Sequence, residues 1–364
     1  MGPEIVTISA AGRLWTAFES VEVHASFKEA VRTFTIHAAA EPGASATAWT
    51  FKAGTEIEIL FNGDLAVRGF VDRYQPQLSE HKSAKITISG RGKSQDFCDC
   101  SALHKTGEFL NKTPLDIGKE LDQFGVGIAS DIDLDTIPVA RITPGETAFR
   151  CLEKLCRQQG AFLVGQPDGS IKITKAGQAR HAGGIIEGVN LKAGHADHNW
   201  AGRHSKIIVR GQRPLDHGAD NLHIEETAED SDVTRYRPHL LVHDGDTDKK
   251  RAKKRATNRR DREAGRALRG NEIRVQGFRD DGGLLWTPGN LVWIESPFLD
   301  IAQDMAIESV RFKQARKNGS ESVLSICDPR ALGGQKGGKG KANKAWSTEA
   351  GQNDPTSHDP ALSQ

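Results

Sequence analysis

The stretch from Thr55 to Tyr74, TEIEILFNGDLAVRGFVDRY, limits the fold more than any other. Apolar and polar residues alternate on both sides of Asn62-Gly63-Asp64, as in two strands joined by a tight turn. A side-chain period of two gives each strand one apolar face, which a second layer or a closed sheet has to cover. The neighbouring residues follow the same pattern. Ile5, Trp15, Phe18, Val21, Val23, Phe34 and Ile36 sit in short alternating runs broken by Gly, Ser or Pro, and SAKITISG alternates Ile86 and Ile88 with polar residues. Many short strands with turns between them predict a barrel or sandwich for residues 1–92.

The period changes after Gly92. Thr113-Pro114-Leu115-Asp116 reads as a helix start, with Thr as N-cap, and Ile117, Leu121 and Phe124 share a face before Gly125. Thr143-Pro144-Gly145-Glu146 reads as a capping box that opens a second helix, with Phe149, Leu152, Leu155 and Cys156 as its stripe and Gly160 as its stop. AFLVGQPDGSIKIT then predicts a hairpin around Pro167-Asp168-Gly169. Residues 93–178 are therefore expected to form a small α+β domain.

Strand signals return in HSKIIVRG, NEIRVQGF, NLVWIES, DMAIESVRFKQ and ESVLSICD. Residues 179–212 plus 271–330 are expected to form a second β-barrel domain, interrupted by a charged insert at 213–270. The Gly/Lys/Ser/Pro-rich segment 331–364 reads as a flexible tail. The fold class is thus mainly β with α+β: two similar barrel domains, a small α+β domain and a helix-containing insert.

The two β regions echo each other. Gly54 leads a strand (Ile57, Ile59), then GFVDRYQ, the turn SEHKS and AKITISGR; Gly289 leads a strand (Val292, Ile294), then IESVRFKQ, the turn RKNGSE and SVLSICDPR. The order and spacing match, although few residues are identical, which raises the reading of two copies of one module.

Chemical motifs fail on context. GRGKS resembles the end of a phosphate loop, but Thr87 stands where the loop needs its first Gly, inside a strand. Gly90 and Gly92 are expected to let the chain turn out of the barrel, with Lys93 solvated. Cys98 and Cys100 are two apart, which in extended chain puts both on one face, but a tetrahedral zinc site uses a wider spacing and a second pair. Cys151 and Cys156 fall on a predicted helix at an offset that splits them across faces, so buried thiols are the better reading. His195, His198 and His204 cluster without an HExxH motif and are read as a polar loop. DGDTD at 244–248 starts like a calcium loop, but Lys249 and Arg255 replace its Gly and Glu. There is no G-x-S-x-G elbow, and no carboxylate pair stands out for glycoside hydrolysis. No catalytic residue, metal or cofactor is expected. Five scattered cysteines point to a reducing cytoplasm, and neither a secretory signal nor a membrane span is evident.

Charge is unevenly spread around a net +1. Residues 213–248 carry ten acids and three bases; residues 249–269 carry eleven bases and two acids. Lys249, Lys250, Arg251, Lys253, Lys254, Arg255, Arg259 and Arg260 are expected on a helix with a thin apolar stripe (Ala252, Ala256, Ala264, Ala267, Leu268). The reversal of sign suggests local self-pairing or a charged contact surface. Basic residues without interleaved aromatics are poor base readers.

Four stretches carry a resemblance. They are the hairpin GTEIEILFNGDLAVRGFVDRY, the exit ITISGRGKSQDFCDCSA, the helix–helix–hairpin unit ending FLVGQPDGSIKIT, and VQGFRDDGGLLWTPGNLVWIES. In their order the chain resembles the baseplate hub proteins of Mu-like contractile-tailed phages, the Mu-type and late-control tail proteins. Gly90-Arg91, Asp96 and Asp99-Cys100-Ser101 match the family's exit pattern, and Trp286, Pro288 and Gly289 match its later turn. The basic segment is longer and richer in Lys and Arg than the family pattern. The resemblance implies a homotrimer whose two barrels per subunit form a six-fold ring. That ring would join the tail tube and other baseplate proteins to a three-fold spike. Double-stranded DNA would pass through it without sequence recognition, and no stable membrane insertion is implied. It also implies a location in the virion tail, after assembly in the host cytoplasm. Two other readings are a peptidoglycan-degrading tail enzyme and a nucleic-acid-binding protein using residues 249–269.

Overall fold

The computed structural model describes residues 4–10, 12–40, 51–78, 84–212, 223–316 and 319–336. The expected turn at 79–83, the start of the charged insert (213–222) and the tail from 337 onward lie outside the described residues.

The first part is all β: β1 (Val6–Ala10), β2 (Arg13–Trp15), β3 (Ser20–Ser26), β4 (Thr33–Ala40), β5 (Glu56–Phe61), β6 (Asp64–Leu78) and β7 (Ala84–Gly92). The predicted hairpin is β5–β6, and Asn62 and Gly63 both take positive φ (49° and 91°) at its turn. That is the two-residue turn whose twist suits adjoining strands.

The α+β part contains α1 (Gln95–Asp99), β8 (Glu108–Lys112), α2 (Pro114–Leu121), β9 (Ile128–Ser130), β10 (Ile137–Arg141), α3 (Ala148–Gln158), β11 (Phe162–Gly165) and β12 (Ile171–Thr174). Its core is separate and includes Phe97, Phe109, Ile117, Leu152 and Ile173. Thr113 caps α2 with a reciprocal bond to Asp116. The start of α3 differs from expectation. Glu146 reaches back to the Thr143 N–H at 2.6 Å, but the cap of α3 is Thr147. Gly145 lies between them at φ 84°, so the first box closes a turn and the helix starts four residues later. Cys151 and Cys156 are both buried on α3, as the reading of buried thiols expects.

The last part holds β13 (Arg180–Ile186), β14 (Leu191–His198), β15 (Lys206–Gln212), β16 (Ile224–Glu229), β17 (Pro238–Asp246), α4 (Lys249–Arg266), β18 (Leu268–Gln276), β19 (Leu291–Ser296), β20 (Ile301–Ala315) and β21 (Gly319–Cys327). β15 was expected in the second barrel. It pairs instead with β16 and β17 in a three-stranded sheet of the insert, on which α4 packs Ala252 and Ala256. The first residues of the segment expected as a tail are packed, because a 3-10 turn at Pro329–Leu332 buries Ala331 and Leu332.

The molecule is mainly β, as expected, but the strands do not form two separate barrels. They form one 13-stranded sheet in the order β14-β18-β21-β20-β3-β4-β7-β6-β5-β1-β2, with β19 on β20 and β13 on β19. Among the described residues its pairing does not close on itself. The reason is the length of β20: its first half pairs β19, and its second half, Ser309–Ala315, pairs β3. The free edge of one half thus covers the free edge of the other. Both halves feed one core, in which Val23, Ile36, Ile59 and Ile88 join Ile273, Val292, Ile307 and Leu324.

Candidate assembly interface

The sequence echo is a structural repeat. β5, β6 and β7 have 6, 15 and 9 residues, and β19, β20 and β21 have 6, 15 and 9. Both units are antiparallel meanders. In the first, Gly54 N–H bonds Val71 C=O at 2.7 Å and Val71 N–H bonds Thr55 C=O at 3.0 Å. In the second, Gly289 N–H bonds Ile307 C=O at 2.8 Å and Ile307 N–H bonds Asn290 C=O at 3.0 Å. The next residue is skipped by the following strand in each case, leaving Asp72 and Glu308 as bulges. Each bulge carboxylate has a basic partner: Arg91 at 2.8 Å for Asp72, Lys28 for Glu308.

The repeat extends to the fourth strand, with one exchange. Phe34 on β4 pairs Gly90 on β7, and Gly270 on β18 pairs Ile326 on β21. The bulky residue and the glycine have changed strands. A Cβ on Gly90 would stand 2.5 Å from Phe34 Cζ, and one on Gly270 would stand 2.7 Å from Ile326 Cγ1. Each pair has room for one large side chain.

The GRGKS stretch ends the first unit. Gly90 lies inside β7, where it makes room for the Phe34 ring, and Gly92 ends the strand just before the turn at Lys93 and Ser94. Arg91 ties the bulge to the next domain, bonding Asp72 and Asp99, both at 2.8 Å. The hydrogen bond with Asp72 leads the effects that raise the Arg91 pKa, and it outweighs burial. Lys93 is not simply solvated; its Nζ donates to Gly125 C=O at 2.7 Å. Cys98 lies on α1 and Cys100 is its C-cap, so the pair is not on extended chain. Burial pushes the Cys98 thiol up to about 12, with Asp99 adding to the shift. Cys100 and Asp96 are exposed, and the Cys100 N–H bonds Asp96 C=O at 3.0 Å.

The second set of predicted residues lies at the start of the other copy, where Gly289 takes the place of Gly54. Trp286 is buried with its ring 4.8 Å from that of His181. His181 is fully buried; its Nδ1 meets Asp280 at 2.8 Å and its Nε2 accepts from Thr287 N–H at 3.1 Å. Pro288 leads into Gly289, whose φ is 91° and whose added Cβ would stand 2.3 Å from Phe27 Cε2. His181 and Asp280, 99 residues apart, were not read from the sequence; no periodic pattern joins them.

The two copies meet in the seam of β3 and β20, where Arg311 and Lys313 both face Glu22 at 3.2 and 3.7 Å. Among the described residues, the equivalents of the seam strands have no strand on their outer edge. β14 forms a ladder only with β18 there and is largely exposed, and the half of β6 from Asp72 to Leu78 is exposed apart from half-buried Tyr74. Pro76 occupies the place of Phe312, so β6 has one backbone donor fewer than β20.

On α4, Lys249, Lys250, Arg251 and Lys253 are exposed, and Lys254, Arg255, Arg259 and Arg260 are half-buried. Part of the charge is paired within the chain: Lys253 lies 4.0 Å from Glu226, Lys254 pairs Asp135, and Arg259 meets Glu263 at 2.7 Å, while Arg255 hydrogen-bonds the His243 ring. DGDTD ends with Asp248 as the N-cap of α4, 2.7 Å from Arg251 N–H. An open depression lined by Thr16, Phe18, Glu19, Gln314, Arg316 and Gly319 offers one carboxylate, not the pair glycoside hydrolysis uses. No described helix is long and apolar enough to cross a membrane.

Three family descriptions match the chain. The Mu phage baseplate assembly protein GpP-like N-terminal domain matches residues 5–92, the baseplate hub protein gp44-like second domain 94–175, and the GpP fourth domain 248–334. The baseplate hub protein gp44 of Escherichia phage Mu is 27% identical over 304 residues, covering 80% of this chain and 79% of that protein. The 43 kDa tail protein of prophage MuSo2 from Shewanella oneidensis superposes with a TM-score of 0.80 at 25% identity, over 90% of this chain and 99% of that one. A tail protein from Neisseria meningitidis MC58 shares the fold, with a TM-score of 0.76 at 18% identity, over 91% and 99%.

A repeated β meander with open edges, matched along its length by tail proteins, defines a structural component of a phage tail. Within that class, the chain belongs to the Mu-type baseplate hub family.

Proposed function

We propose that the protein is a non-enzymatic, trimeric ring adaptor of a contractile tail. It would join the six-fold tube to the three-fold spike and form part of the DNA ejection channel. The repeated meander carries this reading, because two copies per chain in a trimer make six similar units. The division at 92 and 178 separates those copies from the α+β domain. The residues around Gly90, Arg91, Asp96 and Cys100, and around Trp286, Pro288 and Gly289, would be structural junctions.

The open edges support closure by a further seam of the same kind. The internal seam sets Val23 opposite Phe312 and Ala25 opposite Val310. Carried through the repeat, that register sets Ala196 of β14 opposite Pro76 of β6 in the next subunit, Asp197 opposite Gln75 and His198 opposite Tyr74. Small Ala196 suits the proline ring. Covering both edges would also remove a template for aggregation.

The exposed bases at the start of α4 fit a contact with an anionic partner, such as passing DNA. Positive charge in a first helical turn opposes the helix dipole, so it does not serve the helix itself. Sedimentation velocity of the purified chain tests the ring: a trimer is expected, and a stable monomer at micromolar concentration overturns it. Clearing of a peptidoglycan zymogram by the pure protein would overturn the non-enzymatic reading.

A further inference from the structure

We propose that His204, His239 and Glu263 form a binding site for a divalent transition metal of the zinc class, which fastens α4 to the insert's sheet. The three residues come from separate elements. His204 lies just before β15, His239 is on β17 beside Ile207, and Glu263 is in the last turns of α4. Their ligand atoms all lie within 4.8 Å of one another.

The spacing matches a tetrahedral shell. His204 Nδ1 is 2.9 Å from Glu263 Oε2, His239 Nδ1 is 3.5 Å from Oε1, and the two Nδ1 atoms are 3.4 Å apart. Zinc–ligand bonds of about 2.0–2.1 Å in a tetrahedron place neighbouring ligand atoms about 3.3 Å apart. The imidazoles are edge-on, with centroids 4.6 Å apart and planes at 73°. Without a metal, one Nδ1 has to carry the proton that the other accepts. With a metal, both lone pairs and the carboxylate can face the same cation.

The surroundings fit a first shell. The Glu263 side chain is 4% exposed, and Arg259 Nε holds its Oε1 at 2.7 Å, leaving Oε2 turned to His204. A carboxylate ligand fixed by an outer hydrogen bond is a usual device at metal centres. The imidazoles are 25% and 27% exposed, so solvent can supply the fourth ligand. Sequence reading grouped His204 with His195 and His198. In the fold His195 is exposed on β14, and His198 Nε2 meets Leu299 C=O at 2.9 Å.

The test uses the full chain, stripped with chelator and dialysed against zinc chloride, with bound metal measured by mass spectrometry. About one zinc per chain is expected, with a raised thermal midpoint and, for cobalt, the visible absorption of a tetrahedral site. His239→Ala and Glu263→Gln should each lose the metal and the shift. If Glu263→Gln fails to fold, His239→Asn at the more exposed position serves instead, with circular dichroism as the check. Absence of retained zinc in the folded wild type, or retention equal to that of folded His239→Asn, overturns the proposal.

Discussion

Gly54 and Gly289 stand at one place in two copies of one meander. Their φ angles are 85° and 91°, and each donates its N–H to the residue before a bulge, Val71 or Ile307. Their surroundings differ. A Cβ on Gly54 would meet open space, whereas one on Gly289 would enter the Phe27 ring.

Alanine at the two sites should therefore separate strain from crowding. Gly54→Ala carries the left-handed cost alone, about 1–2 kcal/mol. Gly289→Ala adds an overpacking cost of about 1–3 kcal/mol. Thermal unfolding of both variants should show the larger loss at 289, and equal losses would contradict the geometry.

Gly90 should behave as a packing residue. Its added Cβ would lie 2.1 Å from Phe70 O and 2.5 Å from Phe34 Cζ, both inside the sheet. Gly90→Ala is expected to cost about 1–3 kcal/mol in chemical denaturation. A neutral outcome would count against the close approach of Phe34.

Asp280 gives an acid limb to stability. Burial alone raises its pKa, but hydrogen bonds from His181 and from the N–H groups of Ala182 and Leu284 outweigh it, so the folded value lies below 3.8. The unfolded chain takes up the proton first as pH falls. The contribution is complete above the unfolded pKa and is lost below it, down to the folded pKa. Asp280→Ala strands His181 and several N–H groups, and should cost about 3 kcal/mol or more at neutral pH. Its midpoint should also fall less steeply than that of wild type below about pH 4.

The proposed seam between subunits can be trapped. Opposed residues of an antiparallel pair lie about 4.5–5.5 Å apart at Cα, within reach of a disulfide. Asp197→Cys with Gln75→Cys, in a Cys100→Ser background, should give covalent dimers and trimers on oxidation. The out-of-register pair Asp197→Cys with Leu78→Cys should not. Cross-linking of the second pair alone would mean a different register.

The basic start of α4 predicts a trade between stability and contact. Lys249→Glu with Lys250→Glu should stabilise the free chain by about 0.3–1 kcal/mol per site at low salt, by complementing the helix dipole. The same variant should weaken any salt-dependent shift of double-stranded DNA in a gel. An unchanged shift would remove these residues from the contact.

The local elements were legible because each is written in a few neighbouring residues. Asn62-Gly63 set a hairpin turn, and Thr113 with Asp116 set a cap. The start of α3 was misplaced because two Thr-Glu or Thr-Arg contacts compete within eight residues, and only Gly145, by breaking the helical path, decides between them. The repeat was visible as spacing, while its equivalent residues emerged only from register. Val71 and Ile307 share little with their neighbours in sequence but make the same pair of backbone bonds.

By itself the sequence determined the alternation that makes strands, the caps that start helices, and the doubling of a β unit around an α+β domain. Only the tertiary structure decided that β20 runs past its own unit to pair β3, and that β15 leaves for the insert's sheet. Only it brought His204, His239 and Glu263 together. The physical reason is range. Periodicity and capping are set by bonds within a few residues, whereas Ser26 and Ser309, or His204 and Glu263, meet through backbone pairing and burial that no local pattern encodes. Gly90 in GRGKS is likewise a glycine on account of a phenylalanine fifty-six residues earlier, Phe34, which the sheet sets against it.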